Sequence, residues 1–430
     1  MHLLRVEEIA RDEQAAVDLG QTPAPLVVIS ASDSDLHGLA AAKRSLGDSV
    51  AELRLAALVS LHHPASLDLY LSQCLTQAEA ILVRILGGRS YWPYGVDRLL
   101  QLRAERPNLK LILLSGEPSL DPQLQRLSDL PHEPYQQLQA WFTAGGAEHG
   151  ALILTLLNGL AKGLVPPYPV VTATPPLPPF AVWDWQEPSK LRSREALPTV
   201  AILFYRAQIL ADDTAAVRAL CAQLAAAGLE PLPIFVSSLK DSACQEFLAQ
   251  QFAAHPPEVI VTLTGFAAGV GFAESETGFF AQFNCPILQA IQASSSHETW
   301  SQTARGLAPR DLAMSIVLPE TDGRIGGAVI SFKEAPERDP LTQCYLVKHL
   351  PDHELIAALV ATVLGWVVLR RTAIAERRIA IMLANYPVRD GRIGNGVGLA
   401  VPESLLGILS SLRDQGYGLD QIPESAPLLM

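Results

Sequence analysis

The strongest constraint on this chain is an alternation met twice: short apolar, β-rich runs separated by helical stretches, on either side of a proline-dense break. Before the break the runs lie at 26–30, 53–60, 81–87 and 109–115, with helical pieces such as 35–46 and 67–78 between them. After it they lie at 199–205, 232–236, 258–263 and 286–291, interleaved with helical patterns at 214–227 and 243–253. Parallel strands need a crossover long enough to hold a helix, so the pattern specifies an α/β fold with mainly parallel sheets. The break itself, 166–188, holds eight prolines, which block helix and central strand alike and make a stiff, extended linker. Trp183 and Trp185 in it point to docking against a domain. The expected organisation is two doubly wound, mainly parallel-sheet domains, 1–165 and 197–376, joined by a linker at 166–196. Residues 377–430 then begin a further α/β unit, which looks cut because its helix has no following strand to pack on.

At 430 residues the chain exceeds one typical domain. Hydrophobic residues make up 49% and charged ones 18%, against roughly 25% charged in an average protein, so much of the chain is buried or covered. A net charge of -12 with no long basic run argues against a nucleic-acid binder, which needs a basic stripe to displace counterions. Five widely separated cysteines without a Cys-x-x-Cys pair fit neither a zinc site nor a disulfide scaffold, and reduced cytosolic thiols fit best. The N-terminal stretch meets acidic residues before any apolar core and does not read as a secretory signal. The longest apolar run, 355–369, falls short of the roughly 20 residues of a membrane span and reads as a buried or interface helix.

In parallel sheets ligands gather at the carboxyl ends of strands. The tips Tyr205-Arg206, Ser237-Ser238, Thr262 to Phe266 and Gln289 to Ser296 should therefore face one crevice, with hydroxyls and amides in place of a catalytic triad; no Gly-x-Ser-x-Gly elbow is present. The loop 87–95 sets Arg89, Tyr91, Trp92 and Tyr94 just past a strand, either as a packed cap on the sheet or as a platform for a planar ligand or partner. Gly145-Gly146 precedes a helical stretch, 151–164, with His149 and Asn158 near or along it; with no second ligand at i+4, His149 reads as surface or satisfied core.

The segment 318–334 places Glu320, Asp322 and Arg324 inside a run that otherwise reads as core strand. The apolar run 314–318 and the alternating run 328–333 suit two strands, and Asp322-Gly323 between them is a turn pair, so the local reading is a hairpin with either solvated charges or a polar site. A further strand is expected over 378–387, then a glycine-rich loop from Arg389 to Gly398 that includes Arg392, then a helix from Pro402 to about Arg413 closed by Gly416. Backbone N–H groups of such a loop can hold an anion, although its spacing matches neither a dinucleotide fingerprint nor a triphosphate loop. Asp-Gly-Arg-Ile-Gly occurs at 322–326 and again at 390–394, but the flanks differ and no repeat is inferred.

Taken in order, Gly87-Gly88-Arg89-Ser90-Tyr91-Trp92, Gly145-Gly146 before a helix, and Trp300 with Gly306-Leu307-Ala308-Pro309-Arg310-Asp311-Leu312 form a series of motifs. It continues with Leu318-Pro319-Glu320-Thr321-Asp322-Gly323-Arg324-Ile325, Ser331-Phe332-Lys333, and Asn385-Tyr386-Pro387-Val388-Arg389-Asp390-Gly391-Arg392-Ile393-Gly394-Asn395. The whole resembles the large subunit of aerobic cobaltochelatase, the CobN type, which is related to the large H-type subunit of magnesium chelatase. Thr321 departs from the family, where Leu is expected. The resemblance covers essentially all of the chain and implies the N-terminal third of a longer subunit that binds a tetrapyrrole. The activity it implies is insertion of Co2+ into hydrogenobyrinic acid a,c-diamide on the way to cobalamin, with ATP and Mg2+ handled by separate AAA+ partner subunits and no cofactor tightly bound here.

By the same resemblance Arg89, Arg324, Arg389 and Arg392 would pair with the ring's carboxylates, since Arg offers a planar fork of donors. Tyr91, Trp92 and Tyr94 would pack on the ring. Glu320 and Asp322 would accept protons or transiently hold the metal, whose main site the resemblance leaves unlocated in this chain. Other partners expected are the remaining C-terminal part of the subunit and no nucleic acid, in the cytoplasm, with the fragment alone inactive. A non-catalytic scaffold or partner-docking module, and a magnesium chelatase H-type subunit acting on protoporphyrin IX, are the alternatives.

Overall fold

The computed structural model describes residues 16–117, 119–164, 176–185, 197–269, 278–304, 306–334, 338–384, 394, 396 and 398–429. Two compact units divide the chain, Met1–Val360 and Ala361–Met430. The first contains both sheets.

The first sheet has β1 (Leu26–Ser30), β2 (Leu53–Ala57), β3 (Ala80–Ile85) and β4 (Lys110–Ser115) in the order β2-β1-β3-β4, parallel throughout. Side chains alternate faces along a strand, so Leu26 and Val28 enter one core with Leu55 and Leu82, while Val27 and Ile29 enter the other with Ile81 and Val83. Helices cover both faces, as a doubly wound sheet requires. On one face Asp33–Leu46 and Gly146–Ala161 come very close. A Cβ on Gly150 would lie 2.9 Å from the Gly38 carbonyl oxygen, and one on Gly38 would lie 3.3 Å from Gly146 backbone, so glycine at both crossing points is a packing requirement.

The second sheet runs β11-β10-β9-β8-β6-β7-β5. Its central strands β6 (Thr199–Tyr205), β7 (Glu230–Val236), β8 (Val259–Thr262), β9 (Ile287–Ala293) and β10 (Ile325–Glu334) are parallel. The edges β5 (Phe180–Val182) and β11 (Lys348–Pro351) are antiparallel additions. β5 comes from the proline-dense break, whose described part is 176–185, and an edge is where a proline-flanked strand is tolerated. Trp183 follows it onto the sheet: its ring meets Phe204 at 5.2 Å, and the Arg218 guanidinium lies 4.6 Å from its centroid.

Between β10 and β11 the chain leaves its own sheet and returns to the first. Thr342 O accepts from Leu55 N of β2 at 3.2 Å, and Gln343 O accepts from Gln21 Nε2 at 2.8 Å. Cys344 is buried in the first sheet's core, with Leu346 packed against it. Burial pushes the Cys344 thiol up to about 12.

Three expectations are corrected. The run 314–318 is helical: Pro309–Leu312 starts a helix that widens into a π-type turn over Ala313–Val317 and closes as Leu318–Glu320. β10 lies parallel to β9, so the chain must cross over between them and cannot turn back in a hairpin. The wide turn comes just before Pro319, which has no N–H to donate. Gly323 does adopt a positive φ, +77°, but it ends this helical segment, its N–H reaching Glu320 O at 3.0 Å. Secondly, of the strand expected over 378–387, residues 378–384 form no strand, with no neighbouring strand available there among the described residues, and 385–387 lie outside them. Thirdly, the apolar helix is longer than its core run: His353–Arg371 is long and apolar enough to cross a membrane by length and composition. Its first half packs inside the first unit, with Leu355 against Ile291 and Phe332.

Within Ala361–Met430, the helix Val401–Asp414 forms where expected, with a proline in its first turn and no buried residue. Most of the loop 389–398, including Arg389 and Arg392, lies outside the described residues.

Candidate functional site

The carboxyl ends of the second sheet converge on a cleft of about 390 Å3. Tyr205 ends β6, Gly265 and Phe266 follow β8, Gln292 lies near the end of β9 and Lys333 near that of β10. The opposite wall is the turn after β1, Ser32 to Ser34, with His37. The crevice expected from the strand tips is met in part: Tyr205 and the tips after β8 and β9 line this cleft, and the first sheet supplies its other side, whereas Arg206 and Ser237 line a separate pocket with Leu177 and Thr143.

Two histidines are fixed by hydrogen bonds. His349 Nδ1 lies 2.8 Å from Asp213 Oδ2, and its backbone N–H donates to Asp213 Oδ1 at 2.9 Å. Burial pushes the Asp213 carboxyl up, but the hydrogen bond and charge of His349 outweigh it and hold the group below its ordinary value. A carboxylate only accepts, so Nδ1 carries the proton and Nε2 presents a lone pair in the neutral ring. His37 has the opposite tautomer, because Nε2 lies 2.8 Å from the Val347 carbonyl, which also only accepts. Lys333 Nζ reaches Asp33 Oδ2 across the cleft at 3.0 Å. Asp311 accepts from both N and Oγ of Ser294, at 2.8 and 2.9 Å. Arg310 is exposed and has no ion-pair partner among the described residues. Cations, imidazole lone pairs and amides are a lining able to hold a polar, partly anionic ligand. No group of three or more His, Cys, Asp or Glu is placed to hold a metal among the described residues.

Asp322 and Arg324 lie behind this wall. The Arg324 side chain is 0% exposed; Nη1 donates to Thr264 O at 2.8 Å and Gln289 Oε1 at 3.1 Å, and Nη2 to Phe266 O at 3.0 Å and Asp322 Oδ2 at 2.9 Å. Burial lowers the Arg324 pKa against the pull of Asp322. Asp322 also accepts from Ala268 N at 2.6 Å. The pair thus fixes the backbone that carries Gly265 and Phe266 into the cleft. Glu320 is exposed at the helix end.

The loop after β3 is elsewhere, and none of its residues lines the cleft. Trp92 is 1% exposed and belongs to the core, its Nε1 donating to Leu61 O at 3.3 Å. Tyr91 is 38% exposed with His62 edge-on at 5.9 Å. Arg89 pairs with Asp97 at 2.6 Å, and Tyr94 Oη donates to Asp68 at 2.7 Å. His149, buried, bonds the Gly145 carbonyl at 3.0 Å. Sequence reasoning picked out neither Asp213 with His349 nor Gln208 with Gln292; the separations are too large for a local pattern, and only the position of Gln292 at a strand tip was a clue.

A family model described as CobN/Magnesium Chelatase matches residues 154–430. The chain belongs to the CobN/magnesium chelatase family. It is 37% identical over 445 residues to the aerobic cobaltochelatase subunit CobN of Sinorhizobium sp, and 39% identical over 443 to that of Pseudomonas aeruginosa; both alignments take in 100% of this chain. They take in 34% of each relative, so the chain spans about a third of the length of the curated relatives it matches. The H-type subunit of the Rhodobacter capsulatus magnesium chelatase is 28% identical over 323 residues, 67% of this chain and 26% of that protein. Among solved structures, the catalytic subunit of cobaltochelatase from Mycobacterium tuberculosis matches with a TM-score of 0.60 and 29% identity over 91% of this chain and 31% of that one. The family resemblance read from the motifs is thereby shown, as is the α/β fold with parallel strands.

Proposed function

We propose that this chain is the N-terminal part of the tetrapyrrole-binding subunit of an ATP-dependent cobaltochelatase, which inserts Co2+ into hydrogenobyrinic acid a,c-diamide in the cytoplasm. The observation that carries the choice of cobalt is the extent of likeness: CobN relatives align with all of this chain, whereas the magnesium chelatase relative from R. capsulatus aligns with 67% of it at lower identity. AAA+ partner subunits hydrolyse ATP, and this portion contributes binding without completing insertion.

In this reading the cleft takes the polar rim of the ring. Arg310 and Lys333 meet carboxylate arms, and Nε2 of His349 accepts a hydrogen bond or a proton, because placing a divalent metal in the ring displaces pyrrole protons. Asp322 and Arg324 act by positioning the cleft backbone.

Titrating the chain against hydrogenobyrinic acid a,c-diamide and against protoporphyrin IX, followed by the absorbance of each ring, tests the reading. Tighter binding of the corrin precursor is expected. Preference for protoporphyrin IX would move the chain to the magnesium pathway. Binding of neither ring would leave a scaffold or a docking surface for the partner subunits.

A further inference from the structure

Of the non-glycine residues with a positive φ among those described, Asp212, Asn284 and Gln343 are polar, and Phe266 is apolar. Its φ is +61°, in the left-handed region where a bulky side chain is an outlier. Glycine would adopt it freely, yet the neighbouring glycine stands one position earlier. There Gly265 serves close packing, since a Cβ on it would lie 3.1 Å from the Met314 carbonyl oxygen. Phe266 is also 39% exposed and lines the cleft. Packing of a buried ring could offset such a backbone; a ring left this open gains less from packing, and strain combined with exposure points to a ligand.

The strained residue is held from several sides. Phe266 N–H donates to Met314 O at 2.8 Å, and Phe266 O accepts from Arg324 Nη2 at 3.0 Å. To either side, Gly265 O accepts from Tyr205 Oη at 3.1 Å, and Ala268 N–H donates to Asp322 Oδ2 at 2.6 Å. With both of its backbone polar groups engaged, what Phe266 offers the cleft is its ring. Its place in the sheet agrees. β7 and β8 flank β6 on opposite sides, so the strand order reverses between the carboxyl ends of β6 and β8, where open α/β sheets seat ligands. Phe266 follows β8 there, and Tyr205 ends β6.

We propose that Phe266 is a rigid platform on which the flat, conjugated face of the ligand stacks at one edge of the macrocycle. This inference rests on the reading of the cleft as a seat for the rim of a tetrapyrrole, and adds the residue that takes the face while Arg310 and Lys333 take the arms. A residue fixed in advance loses little freedom when a flat ligand settles on it, so its contact area converts into affinity more fully than that of a mobile one. Leu263 and Met314 also line the cleft, and supply apolar surface without a plane.

The test is a ring absorbance titration of the full chain with hydrogenobyrinic acid a,c-diamide, beside a thermal unfolding curve for each variant. Phe266→Tyr keeps the plane and should bind as the wild type does. Phe266→Leu keeps apolar volume without the plane and should bind roughly threefold to tenfold more weakly, the range of a stacked aromatic contact. Phe266→Gly removes the ring and suits the backbone, so affinity should fall by about tenfold or more while the unfolding midpoint holds or rises. A residue needed only for folding gives the reverse, a lower midpoint with wild-type affinity in the folded protein. That result, or wild-type affinity in folded Phe266→Leu, overturns this inference alone. A wild-type chain that binds neither this ring nor protoporphyrin IX overturns the reading of the cleft and this inference with it.

Discussion

Each sheet of the first unit buries one arginine with one aspartate, and the two pairs hold different things. In the first sheet Arg84, at the end of β3, meets both carboxylate oxygens of Asp35 at 2.7 Å, and also donates to Ser115 O and Gly116 O. Ser30 Oγ completes Asp35 at 2.5 Å. That pair ties β1, β3, β4 and the first turn of a helix to one another. In the second sheet Arg324 and Asp322 are two residues apart and, beside one bond from Arg324 to Gln289 Oε1 on β9, their bonds to other residues go to a single stretch, Thr264 to Gly269. The first pair holds a core together; the second fixes a loop at a cleft. A buried ion pair can therefore serve stability or local geometry, and its acceptors tell which.

Breaking the pairs should give the largest effects. Arg84→Ala and Arg324→Ala should each destabilise by about 3–5 kcal/mol in urea unfolding, since each leaves a buried carboxylate without its cation. Hydrogen exchange then separates them: the Ala268 and Gly269 amides should lose protection in Arg324→Ala and keep it in Arg84→Ala. Equal protection in both variants would remove the distinction. Asp322→Asn is milder, about 1.5–3 kcal/mol for weakened charge-assisted bonds, and should lower ring affinity in the absorbance titration more than Asp35→Asn does.

Acid sharpens the contrast, because carboxyls in the two halves move oppositely. Burial raises Asp35 above its ordinary value, against the pull of Arg84 and Ser30, whereas His349 holds Asp213 below it. A carboxyl with a depressed folded pKa adds stability above its unfolded value of about 3.9 and loses it as pH falls through the folded pKa. The stability gap between wild type and Asp213→Asn should therefore be widest near neutrality and close below pH 4 in denaturant titrations. For Asp35, whose folded pKa is raised, the contribution is greatest below the unfolded value and is lost as pH rises through the folded one. Its wild-type advantage over Asp35→Asn should grow on acidification. The smallest effect belongs to Lys333→Ala: its half-exposed pair with Asp33 is worth about 0–1 kcal/mol, and less in high salt.

Much of this architecture is legible in the sequence. Central strands such as β1 and β6 fall where the apolar runs place them, because strands buried on both faces read as continuous Val, Ile and Leu. Misreading arose where local pattern competes with topology: Met314 to Leu318 has strand composition, yet a parallel neighbour demands a crossover. Trp92 and Tyr91 are adjacent and chemically alike, and nothing local says that one is core and the other surface. The cleft was legible only by halves. The strand-end rule gathers Tyr205, Phe266 and Gln292, but His37 and Lys333 arrive from elements whose meeting depends on how the two sheets pack, which no periodicity encodes.

The return of residues 338–347 to the first sheet has a consequence in time. Leu55 waits for Thr342 and the core around Leu53 waits for Cys344, so contacts that finish the early half join residues almost three hundred positions apart in sequence. Closing so long a loop is slow compared with local pairing. On a translating ribosome the first sheet must stand with one seam open until residues 338–347 have been made.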